Sequence, residues 1–206
     1  MKAINHGHFI VEFEDAWDLD KAQQLIKMWE NHGDKVAKVV TKGQGENTTR
    51  YLDINLDIRT MPDVAKVFSD KMVELVNAYN KELALPLPIA MPEVIHDIPM
   101  KCYRANSEDK FEPHYDSVEH YCNRYIAFII YLNDVEEGGE TVFPYHDITI
   151  KPKAGKALMF PPFWTHPHMA HPALSEHKYV LTTFAVYRFP ENPPIFPTIE
   201  EAGYDS

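Results

Sequence analysis

From about Ile98 onward the sequence breaks into short apolar runs separated by turn residues. This constrains the fold more than any other feature of the chain. The strongest run is Arg124–Asn133 (RYIAFIIYLN), rich in the β-branched and aromatic side chains that suit a pleated, half-buried surface. Alternation along it puts Tyr125, Ala127, Ile129 and Tyr131 on one face. Lys101–Arg104, Glu140–Pro144, Lys156–Phe160 (KALMF) and Lys178–Arg188 (KYVLTTFAVYR) read as further strands, and Glu137-Gly138-Gly139 as a turn. Many short strands with turn signals imply a sandwich or barrel-like β fold.

The first third has a different character. His8–Phe13 (HFIVEF) is strand-like. Asp18–Asn31 and Asp63–Leu83 carry apolar residues at helical spacing, with Pro62 suited to the first turn of the second helix. Lys42–Asn47 (KGQGEN) reads as a loop. The expected class is α+β, with the helices packed on one outer face of the strands. A single domain is expected over residues 1–206. It has a strand–helix flank at 1–95, a core at 96–190 and a coil tail at 191–206.

A chain of 206 residues can bury a core without disulfides, and its two cysteines, Cys102 and Cys122, form no disulfide framework. That suits a reducing compartment, so a cytoplasmic location is expected. No run of 18 or more apolar residues is present, and no membrane partner is expected. The net charge of −11 argues against a nucleic-acid partner. Lys151, Lys153 and Lys156 form a short basic cluster, read here as a solvated strand edge.

One local pattern carries chemistry. In His114-Tyr115-Asp116, strand alternation would present an imidazole and a carboxylate on the same face. Alone this is weak, because such triplets occur by chance. Joined by one histidine from a distant strand, the pair would make a two-histidine, one-carboxylate facial triad, the ligand set of non-haem iron(II). His166, His168 and His171 are the candidates for the third position. Such a centre can chelate an anionic 2-oxo acid, whose far carboxylate needs a cation and a supporting tyrosine hydroxyl.

Three ordered blocks bear on this reading. They are Tyr131–Pro144 (YLNDVEEGGETVFP), Lys153–Phe160 (KAGKALMF) and His168–Leu181 (HMAHPALSEHKYVL). Together they resemble the prolyl 4-hydroxylase family of Fe(II)- and 2-oxoglutarate-dependent dioxygenases. In that family the distal histidine precedes the basic residue by ten positions. His168 stands at that distance from Lys178 and ranks first, ahead of His171 and then His166.

The resemblance implies a double-stranded β-helix (jelly-roll) core. It makes His114, Asp116 and His168 the metal ligands. Lys178, Tyr131 and Tyr103 become the groups that hold 2-oxoglutarate. The loop Arg104–Lys110 (RANSEDK) lacks the family's usual glycine, and Phe111 stands where a tyrosine is common. Thr182, Arg124 and Trp164 are secondary candidates near the pocket, a loop or its entrance. The implied reaction is hydroxylation of a C–H bond of a prolyl residue in a peptide or protein. It would use Fe(II), 2-oxoglutarate and dioxygen, with ascorbate as an auxiliary reductant. Three other readings stay open at this level. They are the same chemistry on a free amino acid or other small molecule, a non-catalytic 2-oxoglutarate or oxygen sensor, and a zinc or manganese cupin-like protein.

Overall fold

A computed structural model describes residues 1–31, 36–42, 47–56, 62–92, 94–95 and 98–188. The elements in chain order are β1 (Lys2–Asn5), β2 (Val11–Glu14), α1 (Leu19–Asn31), β3 (Val36–Lys42), β4 (Asn47–Leu56), α2 (Pro62–Leu83), β5 (Val94–Ile95), β6 (Ile98–Tyr103) and β7 (Phe111–His114). They continue with β8 (Arg124–Tyr131), β9 (Thr141–Phe143), β10 (Ile148–Ile150), β11 (Ala157–Phe160), β12 (His168–Ala170) and β13 (Lys178–Val186). The expected tail at 191–206 lies outside the described residues.

The strands form two sheets. The larger runs β1-β2-β11-β8-β13-β6-β4-β3, with β5 paired to β13, and the smaller runs β10-β9-β12-β7. The described pairings are all antiparallel, and crossovers between distant strands make this a jelly-roll. Hydrogen-bonded ladders cross the expected boundary at residue 95, because β2 pairs with β11 and β4 with β6. The hairpin β3–β4 was not foreseen; the sequence suggested only a loop at 42–47.

The two faces of the large sheet do different work. One face packs Met100, Phe128, Ile130, Met159 and Leu181 against Ala22, Leu25, Ile26 and Trp29 of α1 and Phe68, Met72, Leu75 and Val76 of α2. The other turns Tyr103, Ala127, Tyr131, Leu158, Phe160 and Val180 toward the small sheet. Period-two alternation along β8 therefore sends Phe128 and Ile130 to the helices and Ala127 and Tyr131 inward. Tyr125 departs from the expected face. The β8–β13 register slips between Ala185 and Val186, passing over Tyr125. The bulge frees its ring to stack on Tyr187, with centroids 4.2 Å apart.

Helix α1 starts where the sequence signals it. The Asp18 carboxylate accepts the Lys21 N–H at 2.8 Å and caps the first turn. Tyr79 of α2 donates its hydroxyl to the Phe9 carbonyl at 2.6 Å, tying the helix to the β1–β2 connection.

The basic cluster needs one correction. Lys151 and Lys153 are exposed as expected, but Lys156 is only 8% exposed. Its ammonium pairs with the buried Glu12 of β2 and donates to the Lys151 carbonyl at 2.9 Å. The partner comes from a strand 144 positions earlier, which local sequence cannot reveal. Cys102 is buried and Cys122 exposed, both as free thiols.

Candidate active site

Strand pairing brings the two distant histidines together. His168 opens β12 and lies directly opposite His114, the last residue of β7. Their rings stand 4.3 Å apart between centroids. Asp116 is not on the strand. The chain turns after His114, and the N–H groups of Asp116 and Ser117 both donate to the Pro162 carbonyl, at 3.0 and 2.9 Å. The turn, rather than strand alternation, aims the carboxylate back at the imidazoles. Asp116 Oδ1 lies 3.5 Å from His114 Nε2, and Oδ2 lies 3.4 Å from His168 Nε2. One donor atom from each of the three residues lies within 4.8 Å of the others.

The backbone sets which nitrogen faces the centre. His114 Nδ1 lies 2.8 Å from the Glu112 carbonyl and His168 Nδ1 lies 3.2 Å from that of His166. A carbonyl only accepts, so each Nδ1 carries the proton and each Nε2 offers a lone pair toward Asp116. Burial, with His114 beside it, lowers the His168 pKa to about 4 despite the opposing pull of Asp116. The ring is therefore neutral at physiological pH. Burial alone would raise the Asp116 pKa, but His168, His114 and Lys101 outweigh it and hold it well below the usual carboxylate range. Two imidazoles that turn Nε2 inward and one carboxylate, brought together at one point, fit iron(II).

Arg124 braces the turn. Its Nη1 donates to the Asp116 carbonyl at 3.3 Å, and its guanidinium lies 3.9 Å from the ring centres of both Tyr121 and Phe184. His166 is turned away, with Nε2 2.6 Å from the His8 carbonyl and Nδ1 2.8 Å from the Thr165 hydroxyl. His171 lies beside Glu140, 3.5 Å away, with its side chain 46% exposed. Neither joins the cluster. Trp164 is 70% exposed and does not line the cavity described next.

The triad stands in a partly open cavity between the two sheets. Lys178, Tyr103, Thr141, Thr182 and Lys101 also line it. Lys178 begins β13 and pairs with Tyr103 of β6. Its ammonium donates to the Gly139 carbonyl at 2.6 Å and lies 5.2 Å from the Tyr103 ring centre and 5.5 Å from that of Tyr131. Burial lowers its pKa from 10.5 to about 7, with Glu140 pulling the other way.

The turn beneath Lys178 requires glycine. Gly138 has φ +75°, and a Cβ there would sit 2.3 Å from the Pro172 carbonyl oxygen. Tyr131 is fully buried and is not a lining residue. Its hydroxyl bonds Thr141 Oγ1 at 2.8 Å, so its influence reaches the cavity through Thr141. The Thr182 hydroxyl is buried without a hydrogen-bond partner among the described residues. A buried lysine on one wall, with a metal-type triad on the other, fits an elongated dianion that chelates the metal.

Sequence reasoning did not single out Lys101 or Thr141 for the site. Lys101 shares the inward face of β6 with Tyr103, two residues on, so strand period was the available signal.

Comparison with known proteins agrees with this geometry. Residues 100–186 match the 2OG-Fe(II) oxygenase superfamily. Probable prolyl 4-hydroxylase 11 of Arabidopsis thaliana is 41% identical over 58 residues, which is 25% of this chain and 20% of that protein. Probable prolyl 4-hydroxylase 3 of the same plant is 36% identical, over 25% of this chain and 26% of that protein. The match thus spans about a quarter or less of these curated relatives. A prolyl hydroxylase from Trichoplax adhaerens, solved with a hypoxia inducible factor peptide fragment, superposes with a TM-score of 0.68 at 18% identity, covering 87% of this chain and 84% of that one. A Pseudomonas putida prolyl-4-hydroxylase gives a TM-score of 0.66 at 18% identity, covering 88% and 94%. These structures establish a shared fold. The superfamily uses iron(II), 2-oxoglutarate and dioxygen, and the triad and cavity suit them. Over residues 100–186 this chain is similar to the 2OG-Fe(II) oxygenase superfamily, and it resembles prolyl 4-hydroxylases in local sequence and in fold.

Proposed function

We propose that the protein hydroxylates a C–H bond of a prolyl residue in a peptide or protein. The reading rests on the convergence of His114, Asp116 and His168 at one end of a cavity that also holds the buried Lys178. His114, Asp116 and His168 would hold iron(II) through two Nε2 atoms and a carboxylate oxygen. Lys178 would meet the far carboxylate of 2-oxoglutarate, with Tyr103 and Thr141 beside it and Tyr131 behind Thr141. The metal, co-substrate and dioxygen together supply the oxidising power, yielding succinate and carbon dioxide. The chain's own work is to fix the Nδ1 protons of His114 and His168 so that each Nε2 faces the centre. It also screens the site from water with Phe111, Phe160 and Phe184, and orients the carboxylates.

Support for a prolyl substrate comes from the prolyl 4-hydroxylase likeness and from the peptide bound to the Trichoplax adhaerens neighbour. A second reading, a free amino acid or other small acid, is favoured by one observation. Lys101 places another cation in the cavity. The test is succinate formation from 2-oxoglutarate by anaerobically iron-loaded protein. It would be run with ascorbate, with and without proline-rich peptides and a panel of amino acids. Peptide-stimulated turnover supports the first reading and stimulation by amino acids alone the second. No turnover by iron-loaded protein under any of these conditions would overturn both.

A further inference from the structure

Lys101 is a charged side chain in the cavity for which the proposed reaction has no use. It lies on β6 opposite Val180 of β13, one inward position from the Tyr103–Lys178 pair. Its ammonium stands 5.1 Å from the Tyr51 ring centre and 5.2 Å from that of Phe111. Among the described residues it makes neither a hydrogen bond nor an ion pair. Its charge is felt by Asp116, His168 and Lys178, so it lies near both the triad and the far wall. The other charged groups acting on it, Asp53 and Arg124, are opposite in sign. A half-buried cation held against aromatic rings is costly unless an anion joins it.

Asp53 faces Lys101 across the β4–β6 ladder and attracts it without forming an ion pair, and among the groups that line the loaded cavity itself the charges match in pairs with one exception. The two positive charges of iron(II) are met by Asp116 and the near carboxylate of 2-oxoglutarate. Lys178 meets the far carboxylate. Lys101 is left over. The unpartnered Thr182 hydroxyl lies diagonally from it across the β6–β13 ladder and lines the same cavity. An ammonium and a hydroxyl on neighbouring strands can both donate to one carboxylate.

We infer that Lys101, with Thr182 beside it, forms a subsite for a carboxylate carried by the substrate itself. The inference rests on the proposed oxygenase reading and narrows its substrate. The reacting molecule carries a carboxylate within a few bonds of the C–H group, as a free or C-terminal amino acid does. An internal prolyl residue of a neutral peptide lacks that group.

The test uses manganese(II)-loaded protein saturated with 2-oxoglutarate under anaerobic conditions, and needs no turnover. Acetate serves as the minimal carboxylate and acetamide as its neutral counterpart. Paramagnetic broadening of the methyl resonance reports only probe close to the metal. Wild-type protein should broaden acetate saturably and leave acetamide unaffected. Lys101→Met should weaken acetate binding about tenfold or more, the loss expected for one charge-assisted hydrogen bond. Lys101→Arg should retain most of it.

Absence of saturable acetate binding in the wild type, or equal binding in Lys101→Met, overturns the inference. The dissociation constant of 2-oxoglutarate, measured on the same proteins, separates the two sources of carboxylate. A tenfold weakening in Lys101→Met would assign Lys101 to the co-substrate and overturn the substrate subsite. Wild-type protein that takes up neither manganese nor 2-oxoglutarate overturns the oxygenase reading together with this inference. Protein that binds both but not acetate overturns this inference alone.

Discussion

Replacing Lys178 with methionine should make the unliganded protein more stable and its binding of 2-oxoglutarate much weaker. Lys178 is 2% exposed, and burial lowers its pKa from 10.5 to about 7. At 1.36 kcal/mol per pH unit, that fall corresponds to about 5 kcal/mol of destabilisation while the lysine is charged. Methionine removes this cost but leaves the Gly139 carbonyl without its donor, at about 1–3 kcal/mol. A net gain of about 2–4 kcal/mol is expected at pH 6.5.

The sign then fixes a pH dependence. A lysine whose folded pKa is depressed destabilises fully below about pH 7, and the penalty fades as pH rises toward 10.5. The variant's advantage should shrink by about 1.4 kcal/mol per pH unit above pH 7. Urea denaturation of metal-free protein at pH 6.5 and 8.5 would measure it. For 2-oxoglutarate, removing one side of a buried ion pair costs about 3–5 kcal/mol, a weakening of roughly a hundredfold or more. Calorimetric titration of manganese-loaded protein reads this directly. A variant less stable than wild type at pH 6.5, or one that binds 2-oxoglutarate as tightly, would refute the reasoning.

Asp116→Ala should lower iron affinity by at least about tenfold and abolish succinate formation, read by metal analysis after dialysis and by coupled assay. Undiminished iron-dependent turnover would remove Asp116 from the metal site. Lys156→Met should cost about 1–3 kcal/mol because it leaves the buried Glu12 with only His6 as a partner, and Glu12→Gln added to it should recover much of the loss in urea melts. Gly138→Ala should cost at least about 1–3 kcal/mol from its left-handed backbone alone. It should also weaken 2-oxoglutarate binding by disturbing the turn under Lys178, visible in the same titration.

Much of this architecture was legible before any coordinates. The segment Arg124–Asn133 announced β8, and apolar spacing announced α1 and α2 nearly to their ends. Local chemistry set those elements. The pairing of His114 with His168 rested instead on family spacing, since no local property links residues 54 positions apart. What escaped the sequence depended on partners far along the chain. Lys156 looked like a surface charge because Glu12 is remote, and Tyr125 changed face because β8 bulges at that point against β13. Asp116 reached its place by a turn fastened to Pro162, where a regular strand had been assumed. Lys101 looked like any strand lysine until Tyr51 and Phe111 were found flanking it.

The seating of β2 against β11 bears on how this protein would behave if shortened. Without the first fourteen or so residues, β11 would become the rim of the large sheet. Its amide and carbonyl groups would be unmatched, and Val11 and Phe13 would no longer cover its neighbours. A rim of that kind recruits strands from other molecules, so a trimmed protein should self-associate. The natural rim, β1, is four residues long and carries Lys2 paired with Glu14, which makes it a poor template for such growth.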